Sequence, residues 1–353
     1  MRKTLLATTA LLLCLAPGAQ AAYAPLGSGQ AKLSLDPAFA SFLEQNGIEL
    51  RASAPAKRKG TAITLPVTGG QLDPTVGKGE AVLEGSLTFQ AKARKVPLRA
   101  IRVKSTKEPL IAKVGGSQLK LTTAKRTSAQ RAGFGSKLTS TRLTLTSKLI
   151  TRLNKKLRLK TPFKAGQSLG TLTTDAQPSL VTIEEKGTAT ISLDPAFLAK
   201  LDSRFVSLNP VAPAQRFGTQ ATFPIAVGGA IAPDGSQGTL RTAGDLEFLQ
   251  LGAGQVFWHE LWLDLGANSD TAEVDVEPTP TFPGKLGRVG VLDYSPTAVS
   301  SDPKKRSISV ANAPLKLSAG AAATFNQAFA QGQEPVFVGG EAVGALSFGA
   351  VGE

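Results

Sequence analysis

The chain is poor in the side chains that usually carry chemistry. Its 353 residues include one Cys, one Met, one His, two Trp and two Tyr. The Cys is Cys14 and the Met is Met1. Both lie in a segment that reads as a secretory signal peptide, residues 1–21, with Arg2 and Lys3, an apolar run over 4–17 and a small-x-small site at Ala19-Gln20-Ala21. The run is short for a membrane span, and no other apolar stretch approaches one, so no transmembrane anchor is expected. Cleavage after Ala21 removes both sulfur side chains. The mature chain then has no disulfide, no thiol nucleophile, no thiolate metal site and no Met axial ligand. The expected location is extracellular or cell-wall associated. Zinc chemistry normally needs two or more His or Cys. A Ser-His-Asp site would rest on His259 alone, and no Gly-x-Ser-x-Gly elbow precedes a helix. Gly339-Gly340 lacks the Gly-Lys-Ser/Thr ending of a phosphate loop. A protein that is not an enzyme is expected.

Acidic residues are scarce in the first half. Residues 1–180 hold 29 Lys/Arg against 8 Asp/Glu, and residues 181–353 hold 11 against 18, so the net charge of +14 is very unevenly shared. Residues 91–164 carry 21 Lys/Arg and a single acid, Glu108. Such a block attracts polyanions. Its candidate contacts are Lys92, Arg94, Lys95, Arg99, Arg102, Lys104, Lys155, Lys156, Arg158 and Lys160. The only aromatics among them are Phe134 and Phe163, so a base-stacking platform is missing and nucleic acid is a poor partner. An anionic cell-wall polymer or envelope surface fits better. The basic half docking on the acidic half is a second use of the charge.

What the chain does have is a repeat. Leu35-Asp36-Pro37-Ala38-Phe39 returns as Leu193-Asp194-Pro195-Ala196-Phe197, at an offset of 158. Leu65-Pro66-Val67-Thr68-Gly69-Gly70 matches Phe223-Pro224-Ile225-Ala226-Val227-Gly228 at the same offset. Gly85-Ser86-Leu87-Thr88-Phe89 follows as Gly244-Asp245-Leu246-Glu247-Phe248, and Asn154 is met again as Asn326. Each copy reads as a short strand at 31–35 or 189–193, then a helix capped by Asp36 or Asp194 with Pro at its first position. Asn46-Gly47 ends the first helix. A strand then runs into a Gly-Gly turn, more strands follow, and a second helix begins near Ser147 or Ala319. A closing strand covers 166–173 or 339–348. The expected fold is mainly β with short helices, a β-rich α+β class, as two tandem antiparallel β-sandwich-like domains of about two helices each. The expected boundaries are a tail at 22–30, copy one at 31–178, a linker at 179–188 and copy two at 189–353.

This order of motifs, from the LDPAF helix through LPVTGGxxDP and GxLxF to the Asn helix and an AGxxLGxL strand, resembles the HtaA-type domain. That family consists of secreted or surface-anchored β-rich modules, often repeated, that bind and pass on haem. The resemblance implies haem or porphyrin as a ligand, and an axial tyrosine in the first helix in an F-x-x-Y setting. Here that position is Phe42 in copy one and Lys200 in copy two. Haem ligation in this chain would therefore fall to other residues, His259 or Tyr294. His259 corresponds to Arg99 in copy one. On a regular strand Trp258, Glu260 and Trp262 share one face, as core or as a stacking platform for a sugar or flat ring, while His259 joins Phe257 and Leu261. Asp270, Glu273, Asp275 and Glu277 offer paired carboxylates, which makes a glycan hydrolase the third functional class; the i, i+2 spacing of Glu273, Asp275 and Glu277 puts those three on one strand face, as a Ca²⁺ surface or a solvated acidic strand.

Overall fold

The computed structural model describes residues 23–252, 254–276, 284–295, 299–329 and 334–353. The signal segment and Glu277 lie outside them. The described residues form two 12-stranded antiparallel sheets, one per sequence copy, each wrapped around its own apolar core. Each copy adds two helices: α1 (Pro37–Gln45) and α2 (Ser147–Leu157) in copy one, α3 (Pro195–Ser203) and α4 (Ala319–Phe329) in copy two. In copy two, strand Gly254–Asp264 pairs with both Gly238–Thr242 and Ser269–Val276, which closes the path of strands into a ring.

Local chemistry accounts for the helices. The Asp36 carboxylate accepts the Ala38 N–H at 2.9 Å and the Asp194 carboxylate accepts the Ala196 N–H at 2.7 Å. Each satisfies a backbone donor that the first turn leaves free. Pro37 and Pro195 follow where no donor is needed. Phe39 and Leu43, like Phe197 and Leu201, fall one turn apart and bury together against the sheet. The second helices are capped by Thr146, whose Oγ1 accepts from Leu149 N at 3.3 Å, and by Ser318, whose Oγ accepts from Ala321 N at 3.0 Å. The paired Asn residues hold the chain that leaves these helices. Asn154 donates to Phe163 O at 3.0 Å and accepts its N–H at 2.8 Å; Asn326 does the same with Phe337 at 2.7 and 3.0 Å.

The structure departs from the sequence reading at four places. The expected Gly-Gly turn is a bulge inside the continuous strand Ala62–Leu72, with a register shift between Val67 and Gly69. Gly70 adopts φ +106, and a Cβ there would lie 2.2 Å from Glu80 O. The glycine is needed because a neighbouring strand approaches, not because the chain reverses. The tail 22–30 is strand from Ala24 onward, pairing with both Ser168–Pro178 and Ala62–Leu72. Most of the expected linker 179–188 belongs to strand Val181–Leu193, which leaves Ser179 and Leu180 between the sheets. The closing strands run later than expected, at Ser168–Pro178 and Ala342–Gly352.

One hairpin of copy one reaches into copy two. Strands Thr122–Ala132 and Gly135–Leu145 of copy one carry Phe134 at their turn, and Phe134 is 2% exposed within the core of copy two. A Cβ on Gly352 would sit 3.3 Å from the Phe134 ring and 2.3 Å from Val181, so this seat is tight. Arg131 donates to the Glu353 carbonyl beside it.

Candidate functional site

The strand that carries His259 in copy two corresponds to Arg94–Lys104 in copy one, and both share a feature that composition hides. Ala100 and Glu260 occupy equivalent positions at φ +48 and +47, and the ladder on each strand slips there. The extra residue reverses the inside–outside alternation beyond it. Trp258, Leu261 and Leu263 therefore point inward, while His259 and Trp262 are only half-buried on the outer side. The expected grouping of Trp258 with Trp262 and of His259 with Leu261 is thus incorrect. Trp258 is 2% exposed and stacks on Phe325 at 5.4 Å, so it is core.

On the outer face of copy two, a network surrounds the bulge. His259 Nδ1 is 2.9 Å from Asp245 and Nε2 is 3.4 Å from Asp275. Its ring stacks on Phe257 at 5.3 Å. The other Asp245 oxygen accepts the Glu260 N–H at 3.0 Å, and Arg288 donates to Glu260 O at 3.0 Å. Trp262 has the Arg241 guanidinium at 4.1 Å and the Arg288 guanidinium at 4.0 Å, which gives cation–π contacts and covers the ring. The Asp245 carboxylate and the Arg288 guanidinium are thus tied to the bulge, while Trp262 Nε1 and Asp275 Oδ1 are buried without a hydrogen-bond partner among the described residues. Both His259 nitrogens face carboxylates, so an iron would have to displace one of them.

The other candidates for ligation are either paired or buried. Phe42 packs on Phe163 at 5.2 Å, and Lys200 forms an ion pair with Glu341. Tyr294 is 3% exposed, and its Oη lies out of solvent with no hydrogen-bond partner among the described residues. Burial raises its pKa, followed by the charge of Asp270. Asp270 is fully buried and faces the core, where copy one has Leu110 at the same register. Desolvation, and then Asp293, hold its carboxyl well above the ordinary Asp range. Asp275 faces outward toward His259. Asp270 and Asp275 thus lie on opposite faces of one strand and cannot flank a common bond. Among the described residues no three His, Cys, Asp or Glu side chains converge as a metal site.

The cations of copy one make a different surface. In α2, Leu149, Ile150, Leu153 and Leu157 face the core, which leaves Lys148, Thr151, Arg152, Lys155 and Lys156 on the outer side. Two hydrogen bonds fix the helix to the sheet: Arg152 to Val114 O at 2.5 Å and Arg94 to Leu157 O at 3.2 Å. The second joins the turn bearing Lys92, Arg94 and Lys95 to the helix end bearing Lys155, Lys156 and Arg158. At the other end Thr146 Oγ1 donates to Lys120 O at 2.7 Å. Between α2 and strand Ser117–Lys120 runs an open groove of about 650 Å³, lined by Ser117, Leu119, Lys148, Arg152, Lys155 and Lys156. A second hollow of about 530 Å³, holding Lys120 and Glu108, shares Ser147 and Lys148 with it.

Lys148, Lys155 and Lys156 make no ion pair with any described residue, whereas Arg102 and Lys104 are both paired with Glu80 at 2.9 and 3.2 Å. Lys160 is exposed beyond the helix, and Arg99 is exposed on the outer sheet face at the bulge. No ion pair between described side chains joins the two copies. The equivalent helix α4, AGAAATFNQAF, has no cation at all. Sequence reasoning had missed Lys148, Arg152 and Lys120 as lining residues; the spacing of Lys148, Arg152, Lys155 and Lys156 along a helix was the available signal.

No protein-family profile and no curated protein matches the chain. Among solved structures it is similar to the C-terminal domain of HtaA from Corynebacterium glutamicum, at 18% identity over 48% of this chain and 98% of that domain, with a TM-score of 0.37. The N-terminal domain of the same protein matches at 18% identity over 49% of this chain and 99% of that domain, with a TM-score of 0.34. A domain-swapped dimer of a variant C-terminal domain matches at 19% identity, covering 44% and 91%, with a TM-score of 0.33. The likeness is one of fold, and each single HtaA domain pairs with about half of this chain.

Proposed function

We propose that the protein is a secreted, non-enzymatic binding protein of the cell envelope whose first copy holds an anionic polymer in the groove beside α2. The observation that carries this reading is the row Lys148, Arg152, Lys155 and Lys156 along one open groove, absent from α4 and not neutralised by the acidic copy. Lysines on the rim of an open trough suit a flexible chain of repeated negative charges better than a single small anion. Phe134 and Phe163, the only aromatics of the basic block, are 2% and 3% exposed, which disfavours a nucleic acid that needs bases stacked.

Purified protein mixed with isolated cell wall tests the reading. Binding should weaken steeply between about 50 mM and 500 mM salt, because exposed charges are screened over a Debye length of about 8 Å near physiological ionic strength. A K148E/K155E/K156E variant should lose binding by tenfold or more while staying folded, with at most a small fall in melting temperature, since all three side chains are exposed and only Lys155 and Lys156 lie in the last turn of α2. Retention of full binding by that variant, or binding indifferent to salt, would refute the proposal.

A further inference from the structure

Phe205 and Leu251 are the most exposed large apolar side chains among the described residues, at 85% and 86%. They sit on adjacent turns. Phe205 precedes strand Val206–Val211, and Leu251 follows strand Asp245–Gln250, with Val206 paired to Gln250. The Gln250 side chain donates to Arg204 O at 2.8 Å and Phe205 N donates to Asp202 O at 2.9 Å, so both turns are held in place.

The backbone at Phe205 is the unusual part. It adopts φ +53, a left-handed conformation costly for a bulky side chain. The equivalent residue in copy one is Gly47, at φ +60, where a Cβ would meet nothing within 4 Å. Copy two thus places a phenyl ring where glycine is the easy choice, and the ring projects into open space. Copy one has Lys92 at the position of Leu251, and Lys164 at the position of Val338, which is 60% exposed. The turns at this end carry glycine or lysine in one copy and large apolar side chains in the other.

We propose that this apolar tip of copy two docks on a lipid bilayer surface, Phe205 and Leu251 entering the boundary between headgroups and acyl chains. The size of the tip argues for lipid over protein. Two such side chains offer on the order of 300–400 Å², roughly half of the ~800 Å² per partner in a stable protein interface. Interfacial elements bury their apolar side chains about 5–10 Å into the headgroup and acyl boundary, with a strength that scales with the apolar area buried, so a tip of this size suits a weak, reversible membrane contact. The charges nearby, Arg204 and the exposed Asp202 and Glu334, are of mixed sign, so the contact is apolar rather than electrostatic.

The test uses the full mature chain and vesicles of zwitterionic phosphatidylcholine, which has no net charge, in 500 mM salt, where attraction to the basic groove is screened. Wild type should float with the vesicles. F205G and L251K, each the residue of the other copy, should each lower partitioning by about tenfold, from the loss of one buried apolar side chain. F205G also removes an unfavourable φ, so its melting temperature should not fall. Equal partitioning of wild type and both variants, or no flotation of wild type, overturns the proposal. So does a concentration-dependent dimer that F205G abolishes, which would assign the tip to a second copy of the chain. K148E/K155E/K156E should keep vesicle binding and the tip variants should keep wall binding, so either reading can fail alone.

Discussion

Replacing Phe134 with Ala should separate the two copies mechanically while leaving each fold intact. Phe134 belongs to a copy-one hairpin, yet it is 2% exposed inside the copy-two core. An aromatic side chain of this burial removes on the order of 200 Å² from water. At about 25 cal/mol per Å² that is roughly 5 kcal/mol as an upper bound, and measured Phe→Ala losses in cores run at about 3–5 kcal/mol. Taking about 3 kcal/mol, the docked arrangement loses more than a hundredfold in population relative to the undocked one. The Arg131 hydrogen bond to Glu353, the attraction of Arg131 for Glu184 and the close approach of Gly133 to Pro303 remain, but no ion pair between described side chains crosses. Only Ser179 and Leu180 connect the sheets, so the copies stay at high effective concentration yet free to turn. Calorimetry should show one transition in wild type and two in F134A, and small-angle scattering should show a larger radius of gyration. F134L, which keeps most of the apolar volume, should behave nearly as wild type. A single unchanged transition and an unchanged scattering curve for F134A would refute the reasoning.

Two further outcomes follow from buried and committed groups. The raised pKa of Asp270 means that the folded chain keeps this proton to higher pH than the unfolded chain does. Its contribution to stability is therefore fully present below the ordinary Asp range, near 3.8, and is lost as pH rises toward the folded pKa. D270L, which copies Leu110, should remove that slope and add about 1–3 kcal/mol at neutral pH. Urea midpoints measured from pH 4 to pH 8 would count against this if the gap between variant and wild type did not widen with pH. Hemin added to the purified chain should produce no Soret shift, because His259 is held between Asp245 and Asp275, Tyr294 is buried, and Phe42 packs on Phe163. A shift abolished by H259A would show that the ion pairs yield to iron.

The fold was legible in the sequence wherever its cause is local. Asp36-Pro37 and Asp194-Pro195 announce helix starts because cap and proline act within one turn, and Asn46-Gly47 announces an end for the same reason. Repetition at a fixed offset then gave the number of copies. The bulge at Ala100 and Glu260 was not legible. Neither residue is a glycine, and the positive φ is set by strands paired on both edges, which no window of neighbours contains. That one missed residue reversed the faces of everything after it, which is why Trp262 read as a partner of Trp258. The strands over 24–30 and 181–188 were missed because their order comes from two flanking strands distant in sequence.

The same bulge explains how one scaffold can carry two unrelated surfaces. Inward positions on the paired strands are nearly interchangeable: Val96, Leu98, Ile101 and Val103 against Val256, Trp258, Leu261 and Leu263. Those residues pack and all stay apolar, and Trp258 in the place of Leu98 is the one large change of volume among them. Outward positions carry no such demand, since exposed substitutions usually change stability by less than about 0.5 kcal/mol. Lys95, Arg99 and Arg102 could therefore diverge from Gln255, His259 and Trp262 without disturbing the core beneath. Where copy two did acquire costly features, they fall into two kinds. Asp270 in the place of Leu110 is buried, and neither of its oxygens meets a described hydrogen-bond partner. Phe205 in the place of Gly47 strains the backbone but is 85% exposed, facing whatever the protein meets. Lys92, Arg142 and Arg158 share such a positive φ and are also exposed, but their side chains are charged and solvated; Phe205 places an apolar ring there, so its turn is the first place to look for contact outside the chain.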